Sequence, residues 1–385
     1  MAFISMTTQL LLGLFLSGAI NEVLGGYTET LYLENGQYID YGVQGCLGVD
    51  YKPLRSSSLV REYVDFRTGK KAATVYRAAV EKFSYPEGGL YNLPDPVPEE
   101  RLQPFGDFVK KAGIQDALQV VKTFAHGAGD MLQAPLLRVL QLCGLPQIDS
   151  LLQGGYITPK NGMYEINRRV LGILKSDVLY QTSVAETERS SGGIKIVVES
   201  ANGTRKLIKA SQLLVTFVPI MEYLQRFDLV TAESSLFQKL DWMNYYVTVV
   251  KDMGLPSAMA VVSADPESTP GNLPLPPFQL ELQTLTPQEV KNVVLSDIRR
   301  MSKAGTSPKD DPDIVVFGGH TPTAVSVSNA EVRDGFYPKL YALQGVKNTF
   351  YTGLAFCSDY SSLLWVYTDT VIEMMSSPAT GPCYL

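Results

Sequence analysis

The middle of the chain contains short apolar runs with strand periodicity, separated by turn residues. Apolar residues alternate with polar ones at 194–198, a further short run follows at 206–208, and Asn202-Gly203 between them is a typical hairpin turn. A second turn of this kind, Asn35-Gly36, separates two short alternating stretches nearer the N-terminus. Further strands are predicted at 213–218, 245–250, 258–262, 314–317 and 350–353.

Elsewhere the apolar residues recur at helical spacing. Thr286 fits an N-cap, Pro287 the first helical position and Glu289 the third, which is the signature of a capping box and predicts a helix to about residue 301. Helices are also predicted at 105–124, continuing to about 142, at 167–179 and at 361–374. Strands and helices in this mixture predict an α/β (α+β) fold.

An apolar run at residues 10–16 precedes Ser17-Gly18-Ala19 and admits two interpretations. It resembles the hydrophobic part and cleavage site of a secretory signal peptide, yet residues 1–9 carry no Lys or Arg. The alternative is a buried element of the fold. The run is too short to span a bilayer, so no stable membrane span is expected. The protein is secreted under the first interpretation and otherwise cytoplasmic.

Composition and charge exclude several classes of function. The 385 residues carry 33 Lys and Arg against 39 Asp and Glu, and 45% of them are hydrophobic, which is typical of a globular protein of two or three units. No basic run is longer than a pair, so we expect no nucleic-acid partner. Four dispersed cysteines and two histidines indicate neither a metal cluster nor a disulfide framework.

The chain has no recognisable catalytic constellation of its own. It lacks G-x-S-x-G, H-E-x-x-H and the phosphate-binding G-x-x-x-x-G-K-[ST] motif, which favours chemistry delegated to a cofactor. Two glycine clusters fit this hypothesis: Gly25-Gly26, and Tyr351-Thr352-Gly353 ahead of a predicted helix. Glycine permits close approach of the backbone to a ligand, and a helix N-terminus favours phosphate.

The order of several blocks resembles a known family. GGYTET at 25–30 and YIDYGVQ at 38–44 are similar to the GGHTxT and D-x-G-x-Q stretches of the flavin-containing amine oxidoreductases, in particular the fungal branch that includes β-cyclopiazonate dehydrogenase. The resemblance extends from Gly25 to the end of the chain. Its further blocks lie at 154–180, 194–219 and 340–369.

This resemblance implies a two-lobed, amine-oxidase-like flavoprotein. The FAD-binding lobe would be discontinuous, and a mixed α+β substrate lobe would fill the intervals. The implied boundaries are an apolar N-terminal segment at 1–24, an FAD-binding lobe at 25–60, 150–225 and 338–385, and a substrate lobe at 61–149 and 226–337.

The resemblance also implies which residues meet the cofactor. Gly25, Gly26 and Thr28 would lie at the phosphates and ribityl chain, and the stretch from Asp40 with Gly42, Val43 and Gln44 would lie near the isoalloxazine ring. Gly353 with Leu354 would lie at the pyrophosphate, and the backbone of Val178 would meet the adenine. Leu354 departs from the family, because its side chain cannot accept hydrogen bonds as the Glu of related amine oxidases does.

A larger departure lies upstream of Gly25. The family has a strand, G-x-G-x-x-G and a helix there, whereas this chain has only Gly13 and Gly18 before Gly25, so the dinucleotide-binding unit is expected to be missing and the FAD lobe N-terminally truncated. This leaves three hypotheses open: an FAD-dependent enzyme, a non-catalytic relative with weak or no FAD binding, and a truncated gene model whose true first exon encodes the missing unit.

As an enzyme, the chain would oxidise an amine-bearing or related small molecule by hydride transfer to FAD, in fungal secondary metabolism. The flavin would carry the chemistry, and aromatic and polar side chains would frame the substrate. The pocket candidates are Tyr41, Tyr246, His320 and Trp365. The expected partner is a small-molecule substrate, and the oligomeric state stays open.

Overall fold

The computed structural model describes residues 11–14, 29–41, 46–47, 66–83, 93–125, 128–153, 156–157, 159–174, 178–251, 286–303 and 313–376. The strands are β1 (Leu11–Leu14), β2 (Thr30–Tyr32), β3 (Tyr38–Asp40), β4 (Cys46–Leu47), β5 (Tyr156–Ile157), β6 (Thr182–Ser190), β7 (Gly193–Ser200), β8 (Arg205–Ala210), β9 (Gln212–Val215), β10 (Asp241–Met243), β11 (Tyr246–Lys251), β12 (Asp313–Gly319), β13 (Thr323–Ser326) and β14 (Thr349–Tyr351). The helices are α1 (Phe66–Val80), α2 (Phe105–Ala112), α3 (Leu118–Ala125), α4 (Leu136–Leu142), α5 (Leu145–Gln153), α6 (Tyr164–Leu174), α7 (Thr231–Phe237), α8 (Pro287–Lys303), α9 (Asn329–Arg333), α10 (Phe336–Tyr341) and α11 (Ser361–Ser376).

A three-stranded parallel sheet of order β1-β9-β14 positions the candidate site. In its central strand β9 the three consecutive apolar residues Leu213, Leu214 and Val215 are all buried, as expected for a parallel strand covered on both faces. Leu11 pairs with Gln212 on one side of β9, and Thr349 pairs with Leu213 on the other. Part of the apolar 10–16 run is therefore a strand of this sheet.

An antiparallel meander, β6-β7-β8, precedes β9 along the chain. Ile194, Ile196 and Val198 alternate along β7 and are buried, so one face of the meander packs on the core. The turn between β7 and β8 contains Gly203 at φ +81°, a left-handed conformation that suits glycine. The predicted strands and the hairpin at Asn202-Gly203 are confirmed.

Two hydrophobic cores organise the described residues. The first core joins the meander, β9, β14 and α11, and includes Leu213, Tyr351 and Tyr367. The second core consists of residues from the helices α1 to α5 and the turns between them, from Ala72 to Ile148. Cys357 is buried in the first core and Cys143 in the second, where they act as small apolar side chains.

The region predicted to be helical at 105–124 contains two helices, α2 and α3. Gly113 adopts φ +66° and ends α2, and its amide donates to the carbonyls of Lys110 and Val109. This is the left-handed glycine termination that stops a helix. A short 3₁₀ turn, Gln115–Ala117, then leads into α3. Apolar periodicity predicted the helical region correctly but did not locate the break at this glycine.

The other local predictions agree with the structure to within a few residues. The Asn35-Gly36 turn joins β2 and β3. The capping box of α8 forms as predicted, with Thr286 Oγ1 accepting from the Glu289 amide at 3.3 Å and the Glu289 carboxylate accepting from the Thr286 amide at 2.7 Å. The helix predicted at 167–179 spans Tyr164–Leu174, and the strand predicted at 258–262 lies outside the described residues.

Candidate functional site

The parallel strands β9 and β14 end at a tight turn around Gly353. The Thr352 amide donates to the Val215 carbonyl at 2.9 Å, and Gly353 adopts φ +108°. A Cβ at this position would lie 2.8 Å from the Thr216 carbonyl oxygen, so only glycine fits without displacing backbone. The carboxyl ends of parallel strands are where α/β folds place their ligands.

This turn presents amide donors that the described part of the chain does not use. Gly353 accepts from the Phe356 amide at 3.0 Å, but the amides of Gly353, Leu354 and Ala355 have no acceptor among the described residues. Ala355 is buried, and buried N–H groups are nearly always paired. Unpaired donors beside a close-approach glycine suit an anionic group such as a pyrophosphate.

A buried ionic network fixes β14 just before this turn. The guanidinium of Arg189 donates to both carboxylate oxygens of Glu233, at 2.9 and 2.7 Å, and to Asp228 Oδ1 at 2.9 Å. The Tyr351 hydroxyl donates to the same Glu233 carboxylate at 2.5 Å. Arg189, Glu233 and Tyr351 are each at most 3% exposed. The network therefore ties the meander and α7 to the strand that carries the turn.

The charges in this network are held ionised by their partners. Burial alone would raise the pKa of Asp228, but hydrogen bonds from Arg189, Thr187 and Lys347 hold that pKa at about 2. Burial likewise opposes ionisation of Glu233, and the donors Arg189 and Tyr351 nevertheless keep its pKa below the usual range. A fully paired buried network of this kind fixes local geometry.

Two side chains complete the support of the Gly353 turn. Gln344 brackets Tyr351, accepting from its amide and donating to its carbonyl at 2.8 Å each. Thr352 Oγ1 lies 2.7 Å from Thr368 Oγ1 on α11. Leu354, which the resemblance places at the pyrophosphate with Gly353, is half-buried against the first core. Only its backbone can serve an anionic ligand.

Asp40 is an anchor for the start of α6. Its Oδ1 accepts from Thr30 Oγ1 at 2.5 Å and from the Met163 amide at 2.9 Å. Gly162 adopts φ +90°, and a Cβ there would come within 2.8 Å of both the Thr30 and Asp40 side chains. The first residue of the block that resembles D-x-G-x-Q, Asp40, therefore joins the end of β3 to the start of α6 by hydrogen bonds.

Three of the pocket candidates lie at one end of the β11-β12 pair. Tyr246 pairs with Gly319, and its ring stacks on Phe317 with centroids 5.5 Å apart. His320 follows β12 directly and is buried. Tyr41, just after β3, comes within 3.2 Å of the position that a Cβ on Gly318 would occupy. Tyr41 and His320 therefore lie on the face of this pair that carries Gly318, whereas Tyr246 lies on the opposite face with Phe317.

The remaining predicted residues are distributed differently. Trp365 is half-buried on α11, on a separate element from the other pocket candidates. Val178 is half-buried in the segment between α6 and β6. Six predicted cofactor residues lie outside the described residues: Gly25, Gly26, Thr28, Gly42, Val43 and Gln44.

Sequence reasoning missed Glu29, which lies beside His320. Glu29 Oε2 is 3.6 Å from His320 Nε2. Burial raises the pKa of Glu29 and lowers the pKa of His320. The available signal was the position of Glu29 within the GGYTET block, where only the glycines and Thr28 were considered. Its partner is almost three hundred residues away, and no spacing rule connects the two.

Membrane-spanning helices and metal clusters are both absent from the described residues. No helix there has both the length and the apolar character needed to cross a bilayer. No group of three or more His, Cys, Asp or Glu side chains there is arranged to hold a metal ion.

Curated relatives align along nearly the whole chain. β-Cyclopiazonate dehydrogenase of Aspergillus oryzae is 34% identical over 397 residues, covering 93% of this chain and 86% of that protein. An FAD-dependent oxidoreductase of Cochliobolus heterostrophus, oblC, is 31% identical over 85% of this chain and 76% of its own length. Another from Monascus ruber, pigF, is 31% identical over 91% of this chain and 84% of its own. No protein-family model matches the chain.

Solved structures establish the fold. A fatty acid isomerase from P. acnes superposes with a TM-score of 0.65 at 17% identity, covering 92% of this chain and 91% of the isomerase. A redesigned double mutant of putrescine oxidase superposes with a TM-score of 0.58 at 13% identity, covering 93% and 92%. At such low identity these likenesses concern the fold alone, and they confirm the predicted α/β class and amine-oxidase-like architecture.

Proposed function

Because this chain belongs to the family of fungal FAD-dependent oxidoreductases that includes β-cyclopiazonate dehydrogenase, we propose that it binds FAD and oxidises an amine-bearing or related small molecule. The observation that carries the proposal is relatedness above 30% identity along almost the whole chain to proteins named as dehydrogenases and FAD-dependent oxidoreductases. The names of these relatives also support a place in fungal secondary metabolism.

The residues around Gly353 fit the phosphates of the cofactor. The amides of Gly353, Leu354 and Ala355 have no described acceptor, and such donors compensate a pyrophosphate charge. The resemblance adds three groups to this proposal: Gly25, Gly26 and Thr28 at the phosphates and ribityl chain; Gly42, Val43 and Gln44 at the ring; and the Val178 backbone at the adenine. The FAD lobe would then comprise 25–60, 150–225 and 338–385.

The bound flavin supplies the two-electron acceptor, and the side chains supply binding and orientation. Tyr246 stacked on Phe317 offers a rigid aromatic surface for an apolar substrate. Tyr41 and His320 place polar groups on the other face of β12, beside Gly318, where they can orient an amine. Trp365 on α11 belongs to the block that resembles the flavin motif and would bound the pocket from the cofactor side.

The activity can be tested by screening the FAD-loaded protein against benzylamine, tryptamine and putrescine. Oxidation is followed by consumption of oxygen and, with oxygen excluded, by loss of the visible absorption of the flavin. The proposal expects at least one of these amines to bleach the flavin. A protein that binds FAD but is reduced by none of the three would refute the amine part of the proposal.

A further inference from the structure

Side chains from distant parts of the chain converge on Gly318. Glu29 precedes β2, and Tyr41 follows β3. A Cβ on Gly318 would lie 2.9 Å from Glu29 Oε2 and 3.1 Å from Tyr41 Cε2. Glycine at 318 is therefore what allows the carboxylate and the phenol ring to lie against β12. His320, two residues later, faces the same carboxylate, with Nε2 at 3.6 Å from Glu29 Oε2.

The Glu29 carboxylate has an unmet requirement for a partner. Its Oε2 atom is buried and has no hydrogen bond among the described residues, and 3.6 Å is longer than a hydrogen bond to His320. A buried carboxylate oxygen without a donor is costly. A proton, or a substrate N–H or O–H group placed between Glu29 and His320, would satisfy it.

The surroundings suit proton exchange between these two groups. Burial raises the pKa of Glu29 and lowers the pKa of His320, so the two values move toward each other. Among the described residues, the other titratable groups at this place are the phenols of Tyr41 and Tyr245, and burial raises the pKa of both, so they stay neutral. The His320 amide donates to the Tyr245 carbonyl at 2.7 Å, which fixes the imidazole on its strand end.

We propose that Glu29 and His320 form a proton-transfer pair for the substrate, with Glu29 as the acceptor. This inference rests on the proposed function. As the substrate is oxidised, its C–H bond breaks and two electrons leave with that hydrogen to the flavin acceptor. The adjacent N–H or O–H bond breaks, its electrons form the C=N or C=O double bond, and its proton goes to the Glu29 carboxylate. His320, with Nε2 3.6 Å from the carboxylate, can relay the proton.

The pairing can be tested without a substrate, because the chain has only two histidines, His126 and His320. Imidazole signals of histidine-labelled protein are titrated by NMR, and a His126→Asn variant assigns the His320 signal. A nearby carboxylate favours the charged imidazole, so Glu29→Gln should lower the pKa of His320 by about one unit. Glu34→Gln, at an exposed position in the β2-β3 turn, should leave it unchanged. A His320 titration that ignores Glu29→Gln would overturn the pairing.

The catalytic role has a separate readout. The rate of anaerobic flavin reduction is measured with the amine, of the three, that reduces the flavin fastest. Glu29→Gln should lower this rate about 100-fold, because a positioned general base contributes a rate factor of at least this size. The variant's rate should also no longer depend on the titration of a base. His320→Gln should shift the pH profile, and Glu34→Gln should retain the wild-type rate. The FAD dissociation constant should change in none of them. An unchanged flavin reduction rate in Glu29→Gln would overturn the role of Glu29 as proton acceptor. Failure of the wild type to bind FAD would instead refute the proposed function, and the NMR titration would then decide whether Glu29 and His320 interact.

Discussion

Replacing Glu233 by Gln tests the buried network that supports the Gly353 turn. The carboxylate is inaccessible to solvent and accepts four hydrogen bonds: two from Arg189, one from the Tyr351 hydroxyl and one from the Val230 amide. Gln has the same shape but presents an NH₂ group where an acceptor is needed, so one donor would face another donor. Arg189 would keep Asp228 as its only carboxylate partner in this network.

The expected cost follows from the burial of both ions. Breaking a buried ion pair by changing one partner typically costs about 3–5 kcal/mol, because the other charge is left without compensation. Asp228 still contacts Arg189, so we expect a loss of about 3 kcal/mol in the free energy of unfolding. Domains are stable by about 5–15 kcal/mol, and the variant should therefore still fold.

Urea unfolding followed by circular dichroism measures this loss from the midpoint and slope. Glu199→Gln is the matched control, because its ion pair with Arg205 lies at the surface and should contribute less than about 1 kcal/mol. If Glu233→Gln costs no more than Glu199→Gln, the buried network does not stabilise the fold as described. We also expect Glu233→Gln to weaken FAD binding, since Tyr351 lies two residues before Gly353.

Three further outcomes are expected. Gly353→Ala should lower the free energy of unfolding by roughly 2–4 kcal/mol and weaken FAD binding at least about tenfold, because a Cβ at φ +108° would meet the Thr216 carbonyl. The control Gly203→Ala has open space around the new Cβ at φ +81° and should cost only about 1 kcal/mol. Equal losses for the two variants in urea unfolding would contradict the close approach at Gly353. Asp228→Asn should lower the free energy of unfolding by about 1–2 kcal/mol at pH 7, allowing for solvent at the 30% exposed side chain. The folded state lowers the pKa of Asp228 to about 2 from 3.8, so the difference in stability from wild type should vanish as the pH falls from about 4 to about 2. A stability difference independent of pH would refute the role of the ionised Asp228 carboxylate. Tyr246→Ala should raise KM for the amine substrate while the FAD dissociation constant stays the same, and a loss of FAD binding instead would move Tyr246 out of the substrate pocket.

Local features of the fold could be predicted because their causes lie within a few residues. The hairpin at Asn35-Gly36 and the capping box at Thr286 and Glu289 depend on backbone preferences and side-chain donors close in sequence. Periodicity predicted the helical region at 105–124 but not the break at Gly113, since a left-handed glycine termination leaves the apolar pattern intact.

The candidate site could be predicted only where a motif marks it. Gly353 was found from a glycine ahead of a helix, although its close approach to Thr216 depends on a strand far away in sequence. Glu233 and Tyr351 are 118 residues apart, and sequence reasoning did not pair them. Glu29 and His320 meet only because Gly318 leaves room for the carboxylate. Such long-range contacts are properties of the folded chain.

Titration of the purified protein with FAD measures whether the chain binds the cofactor, and whether the Gly353 turn contributes to that binding. Binding is followed by calorimetry and by the visible absorption of the bound flavin, with Gly353→Ala measured in parallel. We expect the wild-type protein to bind one FAD per chain saturably and its melting temperature to rise with FAD concentration. We expect Gly353→Ala to bind FAD more weakly. A folded, colourless wild-type protein whose melting temperature does not respond to FAD would contradict it.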